Sequence, residues 1–148
     1  MGHIFAICGC SGAGKTTFLN SLFATNPINI KLLVRTTGRE KRPKEEEGID
    51  YYYLPKKGFL QKIFANDFIH TEEYDNNFFG IETRIIEDTI KSDYDGIIMA
   101  GAGATKLKAV YGANVSILFI HTGTRATLLD PRCLEDYFED NIELRRRL

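Results

Sequence analysis

The sequence predicts an α/β fold of three layers, a parallel sheet with helices on both faces, and three observations carry that prediction. Short apolar runs bounded by glycine, proline, asparagine or aspartate recur at residues 3–8 (HIFAIC), 28–34 (INIKLLV), 96–100 (GIIMA) and 115–120 (VSILFI), the pattern of strands covered on both sides. Segments with helical spacing lie among them at 16–24, 81–90 and 105–111. The first apolar run passes straight into a glycine-rich loop that opens a helix. Alternation of this kind needs crossover helices, and these favour parallel strands.

The elements follow in order. Residues 16–24 (TTFLNSLFA) place Phe18, Leu19, Leu22 and Phe23 on one helical face, and Asn26-Pro27 closes the helix. After the second apolar run, RTTGREKRPKEEEG reads as an exposed charged loop broken by Gly38, Pro43 and Gly48. Residues 49–54 (IDYYYL) are β-prone, 57–64 form a short helix and 68–74 a strand, followed by a turn at DNN and then FFG. Ile81, Ile85, Ile86 and Ile90 have helical spacing, so 81–90 reads as a helix. The end, 124–148, is helix-prone, broken at Asp130-Pro131, and finishes in ELRRRL.

With 148 residues the chain suits one domain, and 43% hydrophobic with 26% charged residues suits a packed globular core. Net charge −1 removes any compositional argument for a nucleic-acid or membrane-surface binder. The start MGHIFAICGCSG has no basic region and only a short apolar stretch that runs into glycines, so it reads poorly as a signal peptide, and no run approaches the roughly 18 apolar residues of a membrane span. Cys8, Cys10 and Cys133 form no CxxC pair, which fits a reduced, cytoplasmic protein.

Gly9-Cys10-Ser11-Gly12-Ala13-Gly14-Lys15-Thr16 fits G-x-x-x-x-G-K-[ST]. Glycines allow the loop to turn its backbone N–H groups inward, and the following helix adds the positive end of its dipole, so phosphate oxygens bind there. Lys15 would reach the β and γ phosphates of ATP, Thr16 would coordinate Mg²⁺, and Thr17 adds a further phosphate contact. Strand, loop and helix together predict the P-loop NTPase version of the three-layer fold. What receives the phosphoryl group is a separate question. Arg35, Arg39 and Arg42, with Lys41 and Lys44, are close in sequence, and guanidinium forks suit phosphate oxygens, although Glu45, Glu46 and Glu47 could equally balance a solvated loop.

From GCSGAGKTT through TTGREKRPKEEEGIDYYYL and FIHTEEYDNNFFGIETRII to VSILFI and LRRRL, the order and spacing of blocks resemble the guanylate kinase family along nearly the whole chain. The resemblance implies transfer of the γ-phosphoryl of ATP to GMP or dGMP with Mg²⁺. It implies one domain, with a small β-rich acceptor-binding insertion at about 35–80 and a helical lid at about 124–148. Arg39, Arg42 and Tyr51 fall on the residues that hold the acceptor's phosphate. Arg146 or Arg147 falls on the last lid arginine, and Arg132 lies near another. The family continues past these arginines into another strand and helices, so four core strands are expected here, with the adenine side held loosely or completed by a partner in a homodimer.

Departures from the family bear on the acceptor. His70 stands where the family has a base-reading glutamate, with Glu72 and Glu73 just beyond; Phe79 and Ile81 replace a tyrosine and a small hydroxyl residue. The strand at 96–100 carries no acid, and Asp93 and Asp95 before it read as turn residues rather than metal ligands. Arg35 and Phe79-Gly80-Ile81 are similar to the ribose bisphosphate phosphokinases of the same superfamily. The acceptor is therefore a nucleoside monophosphate or a sugar phosphate, and a nucleotide-binding module with little transfer is the third reading. His70 is either a base reader or structural, His3 and His121 are strand-end residues, and the terminal arginines serve either a lid or the helix dipole.

Overall fold

The computed structural model describes residues 1–10, 12–26 and 29–121. Five-residue strand β1 (Ile4–Cys8) is followed by α1 (Lys15–Ala24), β2 (Ile30–Leu32), β3 (Thr36–Thr37), β4 (Tyr52–Tyr53), α2 (Lys56–Phe64), β5 (Phe68–Tyr74), β6 (Asn77–Glu82), α3 (Thr83–Lys91), β7 (Asp95–Met99), α4 (Gly103–Tyr111) and β8 (Val115–Phe119). A single turn of 3₁₀ helix at Gly112–Asn114 leads into β8. The core sheet has the order β2-β7-β1-β8 and all its described pairings are parallel, the four strands expected.

Alternating side chains divide this sheet into two apolar faces, which is why its strands read as continuous apolar runs. Ile7 and Ile97 meet Leu19 of α1 on one side, joined by Leu22 and Phe23. Ile4, Ala6, Ile98 and Ala100 meet Ile86 of α3 and Ala104 and Leu107 of α4 on the other. The result is the three-layer α/β arrangement. Phe18, expected on the buried face of α1, is instead 38% exposed, because the ten-residue helix buries only a narrow stripe centred on Leu19.

A second sheet, of order β4-β3-β6-β5, lies between β2 and α3 in the chain. It corrects two sequence expectations. The charged segment begins not as exposed loop but as β3, with Thr36 and Thr37 fully buried: Thr36 Oγ1 donates to Glu82 Oε1 at 2.6 Å and Thr37 Oγ1 to the Phe78 carbonyl at 2.7 Å. Partners distant in sequence thus satisfy hydroxyls that would otherwise stay in water. Likewise Ile81 belongs to β6, not to the helix, which starts at Thr83. The β5–β6 ladder runs from Tyr74↔Asn77 to Phe68↔Glu82 and claims Ile81 on the way. Asp75 and Asn76, at φ 49° and 56°, make the tight turn between these strands, as the DNN signal indicated.

The small sheet is amphipathic in its own way. On its back, Phe59 of α2 stacks on Phe68 and Phe78 with centroids 4.6 and 5.8 Å apart. Lys62 Nζ donates to Glu82 Oε2 at 2.8 Å and ties α2 to β6. The opposite face carries Arg35, Tyr51, Tyr53, Phe79, His70 and Glu72, of which His70 and Glu72 reach the segment after β7. Among the described residues, no helix is long and apolar enough to cross a membrane.

Candidate functional site

The loop between β1 and α1 is built by glycine. Gly9, Gly12 and Gly14 have φ of 143°, 74° and 90°, and a Cβ on Gly9 would lie 2.2 Å from the Ile120 carbonyl oxygen beyond β8. Lys15 opens α1 and reaches back, its Nζ donating to the Gly9 and Cys10 carbonyls at 2.5 and 2.6 Å. An ammonium is therefore held inside the loop. Thr16 and Thr17 stand exposed in the first helical turn, free of the core. Ala13 is buried against Cys10 and Ile120, and its N–H donates to the Cys10 carbonyl at 3.2 Å, so it shapes the loop from within. Burial pushes the Cys8 thiol up, with Lys15 opposing. Ser11 lies outside the described residues.

The loop sits at the carboxyl ends of the parallel strands, where open α/β sheets form their crevice. Ala100 and Gly101 donate to the Ile7 carbonyl at 2.9 and 3.4 Å, and Ile120 to that of Cys8 at 2.9 Å. Strand β7 therefore delivers Met99, Ala100 and Gly101 beside the loop, without an acid. Asp95 lies at the opposite end of β7 and accepts from the His3 N–H at 2.8 Å, a structural role; His3 Nε2 pairs with Ser116 Oγ at 2.9 Å.

From the small sheet, His70 and Glu72 reach toward the turn after β7: a Cβ on Gly103 would meet the His70 ring at 2.8 Å, and one on Gly101 would lie 3.7 Å from a Glu72 carboxylate oxygen. Arg35 donates through one terminal nitrogen to Glu72 Oε1 at 2.5 Å, beneath the rings of Phe79 and Tyr51 at 5.4 and 5.9 Å. Next to this pair, Arg39 makes a two-pronged bridge to Glu45 at 2.6 and 2.7 Å. The Arg39 guanidinium lies 5.2 Å from the Tyr51 ring centroid and 5.6 Å from that of Tyr53. Glu45 also accepts from the Tyr53 hydroxyl and the Arg42 N–H, each at 3.0 Å. The hydrogen bond from Arg39 leads these effects and holds the Glu45 carboxyl down at about 2, whereas burial and the Glu45 bond push the Tyr53 phenol up to about 12.

Of the residues singled out in the sequence, Arg35, Arg39, Tyr51, His70 and Phe79 are brought together on one face, and the Arg42 side chain is exposed at its rim. Ile81 is not part of that surface: it is buried in the core beside Ile98 and Ala104, packed by the approach of α4. Arg132, Arg146 and Arg147 lie outside the described residues. Glu72 and Glu45 were missed as site residues. The period of two along β5 would have placed Glu72 on the His70 face, and spacing alone held no signal for Glu45.

A family model described as guanylate kinase matches residues 1–139. The guanylate kinase of Nitrosospira multiformis is 32% identical over 120 residues, covering 80% of this chain and 57% of the relative. That of Mycoplasma genitalium is 32% identical over 148 residues, covering 99% and 61%. A crystal structure of guanylate kinase from Anaplasma phagocytophilum superposes with a TM-score of 0.74 at 26% identity, covering 94% of this chain and 70% of that one. The chain thus spans about three fifths of the length of the curated relatives it matches. A glycine-built phosphate loop on a parallel sheet, a small mixed sheet facing it and a family match over nearly every residue lead to one conclusion: the chain belongs to the guanylate kinase family.

Proposed function

We propose that the chain transfers the γ-phosphoryl group of ATP to a nucleoside monophosphate, with GMP the leading acceptor. One observation carries the reading beyond family membership: an aromatic sheet face bearing the paired Arg35 and Arg39, with Arg42 exposed at its rim, stands across Gly101 from a loop whose Gly9 and Cys10 carbonyls hold the Lys15 amine. Two anionic substrates meeting there would each find positive charge, and catalysis would consist of positioning and charge neutralisation. Lys15 would leave the Gly9 and Cys10 carbonyls for the β and γ phosphates, and the N-terminus of α1 would add its dipole.

For Mg²⁺ the fit rests on Thr16, whose side chain is exposed in the first turn of α1. Among the described residues no group of three His, Cys, Asp or Glu could hold a metal by itself, which suits an ion carried by phosphate oxygens and water. Bound there, it would supply neutralisation of the transferred phosphoryl's charge. On the acceptor side, Arg42 and the Tyr51 hydroxyl would take phosphate oxygens while Glu45 keeps the Arg39 fork in place.

The test is ADP release by purified protein with ATP and Mg²⁺. The expected result is turnover that depends on GMP; no ADP above background with any nucleoside monophosphate would end the kinase reading.

A further inference from the structure

We infer that Glu82 is a positioning residue for the acceptor half of the site: its carboxylate locks together the two places where the chain crosses between the core and the small sheet, and so sets where β3 holds its neighbours Arg35 and Arg39. The inference rests on the kinase reading proposed above. The chain enters the small sheet through residues 33–35, between β2 and β3, and leaves it at Glu82, the last residue of β6, from which α3 starts directly. Thr36 Oγ1 donates to Glu82 Oε1 at 2.6 Å, joining the entry to the exit. Lys62 Nζ donates to Glu82 Oε2 at 2.8 Å and lies 3.6 Å from Asp67 Oδ2, which brings in α2. The Asp67 carbonyl in turn accepts from the Thr83 N–H at 2.8 Å. One carboxylate therefore touches β3 and α2 while its own backbone ends β6 and begins α3.

The residue type fits bridging rather than capping. Glu82 occupies the N-cap of α3, where a short oxygen-bearing side chain would bond the free N–H groups of the first turn, yet its side chain makes no such bond. The longer carboxylate turns back to β3 and α2 instead. Its side chain is only 17% exposed, and a hydroxyl and an ammonium offset the cost of taking the charge out of water. The bond to Glu82 leads the effects that push the Lys62 ammonium up from its ordinary value. Thr36 is fully buried, so loss of Oε1 takes the acceptor from a hydroxyl that has no solvent to turn to.

What the joint holds is the acceptor face. β3 pairs with β4 on one side, Thr36 with Tyr52 and Thr37 with Tyr53, and with β6 on the other. The Tyr52 N–H donates to the Arg35 carbonyl and the Leu54 N–H to that of Thr37, each at 2.9 Å. A displacement of Thr36 therefore carries Arg35 directly and, through β4, Tyr51 and Tyr53, whose rings flank the Arg39 guanidinium. The phosphate loop is anchored elsewhere, at the end of β1 and against Ile120 beyond β8. Loosening the joint should thus disturb the acceptor and spare ATP.

The experiment varies GMP and ATP in turn for wild type, Glu82→Ala, Glu82→Gln and Thr36→Val, each assayed well below its own melting temperature. Val115→Ala is the control, a cavity in the core on the sheet edge away from β2. Glu82→Ala should raise KM for GMP at least about tenfold and leave KM for ATP within about twofold, because a small misplacement of binding groups is costly only to the ligand they hold. Thr36→Val, which removes only the hydroxyl, should move the same constant by a smaller factor. Glu82→Gln keeps an acceptor for Thr36 and should recover most of the GMP constant lost in Glu82→Ala. Val115→Ala should lower the melt and change neither KM. A lowered melt in Glu82→Ala with KM for GMP unchanged would make the carboxylate a brace and overturn the inference. Parallel rises in both constants would overturn it as well, as loosening of the whole fold. Should Glu82→Ala not fold, Thr36→Val decides: an unchanged GMP constant there overturns the inference. No ADP from the wild-type chain with any nucleoside monophosphate would remove the kinase reading and this inference with it, whereas every other outcome leaves that reading standing.

Discussion

Phe59→Ala removes the side chain on which the small sheet rests. The ring is fully buried, stacked between Phe68 at 4.6 Å and Phe78 at 5.8 Å, and it fills space opened by two glycines: a Cβ on Gly38 would lie 3.2 Å from Phe59 Cβ, and one on Gly80 3.1 Å from its ring tip. With both stacking partners on β5 and β6, little else can move in to close the hole. The upper range for aromatic truncation is then expected, about 3–5 kcal/mol, which includes the roughly 1 kcal/mol of each lost ring pair. Against a total stability of about 5–15 kcal/mol this is a large share, and in a denaturant titration the unfolding midpoint should fall accordingly at constant slope. Phe59 stacks within the small sheet, on Phe68 and Phe78, so calorimetry should show GMP affinity falling far more than ATP affinity. A loss under about 1 kcal/mol would mean that the ladder bonds, not the aromatic stack, hold the sheet. Equal loss of both ligands would refute the separation of the two halves of the site.

Four further outcomes follow from the same geometry. Lys15→Met should lower ATP affinity at least about tenfold by calorimetry, since an uncharged side chain can neither meet phosphate nor satisfy the Gly9 and Cys10 carbonyls; unchanged affinity would contradict the loop assignment. Gly14→Ala has φ 90° but open space around the new Cβ and should cost about 1–2 kcal/mol, whereas Gly9→Ala adds a backbone collision with Ile120 and should cost clearly more, as thermal melts of the two would reveal. Glu45, depressed to about 2 when folded, contributes stability that is complete above its ordinary value near 4.5 and is lost as pH falls toward 2; the melting advantage of wild type over Glu45→Gln should shrink across that window and stay constant above it. Arg42→Ala should weaken GMP binding while leaving the melt unchanged, whereas Arg39→Ala should lower both, because it strands Glu45.

The core sheet was legible because its strands are apolar on both faces, so each run announced itself without knowledge of its neighbours. The phosphate loop was equally legible, its chemistry being contained in eight consecutive residues. β3 was not: two threonines become a buried strand only when Glu82 and the Phe78 carbonyl arrive from more than forty residues away. Ile81 illustrates a different failure. Its spacing to Ile85 fits a helix, but pairing with His70 across a register shift gives it to the strand, and periodicity cannot choose between two elements that meet end to end. In the site, residue types were readable and pairings were not. Arg39 and Glu45 looked like opposing charges in a solvated loop until folding set them in one bridge.

That bridge changes what the arginines can do in the proposed reaction. A guanidinium whose two terminal nitrogens already hold a carboxylate is stiff, and an arriving phosphate would have to displace Glu45 or accept from what remains. The Arg39 Nε is buried without a hydrogen-bond partner, a donor already desolvated and aimed by the bridge. Arg42 is the reverse case: Glu45 fixes its backbone N–H while its side chain stands in solvent, free to swing. One carboxylate thus pre-orients one arginine and tethers the base of another. A dianionic phosphate would gain most from Arg42, which surrenders only water, and least from Arg39, which would have to surrender an ion pair. On this reasoning Arg39 and Glu45 set the shape of the acceptor pocket, and Arg42 supplies the charge that binds in it.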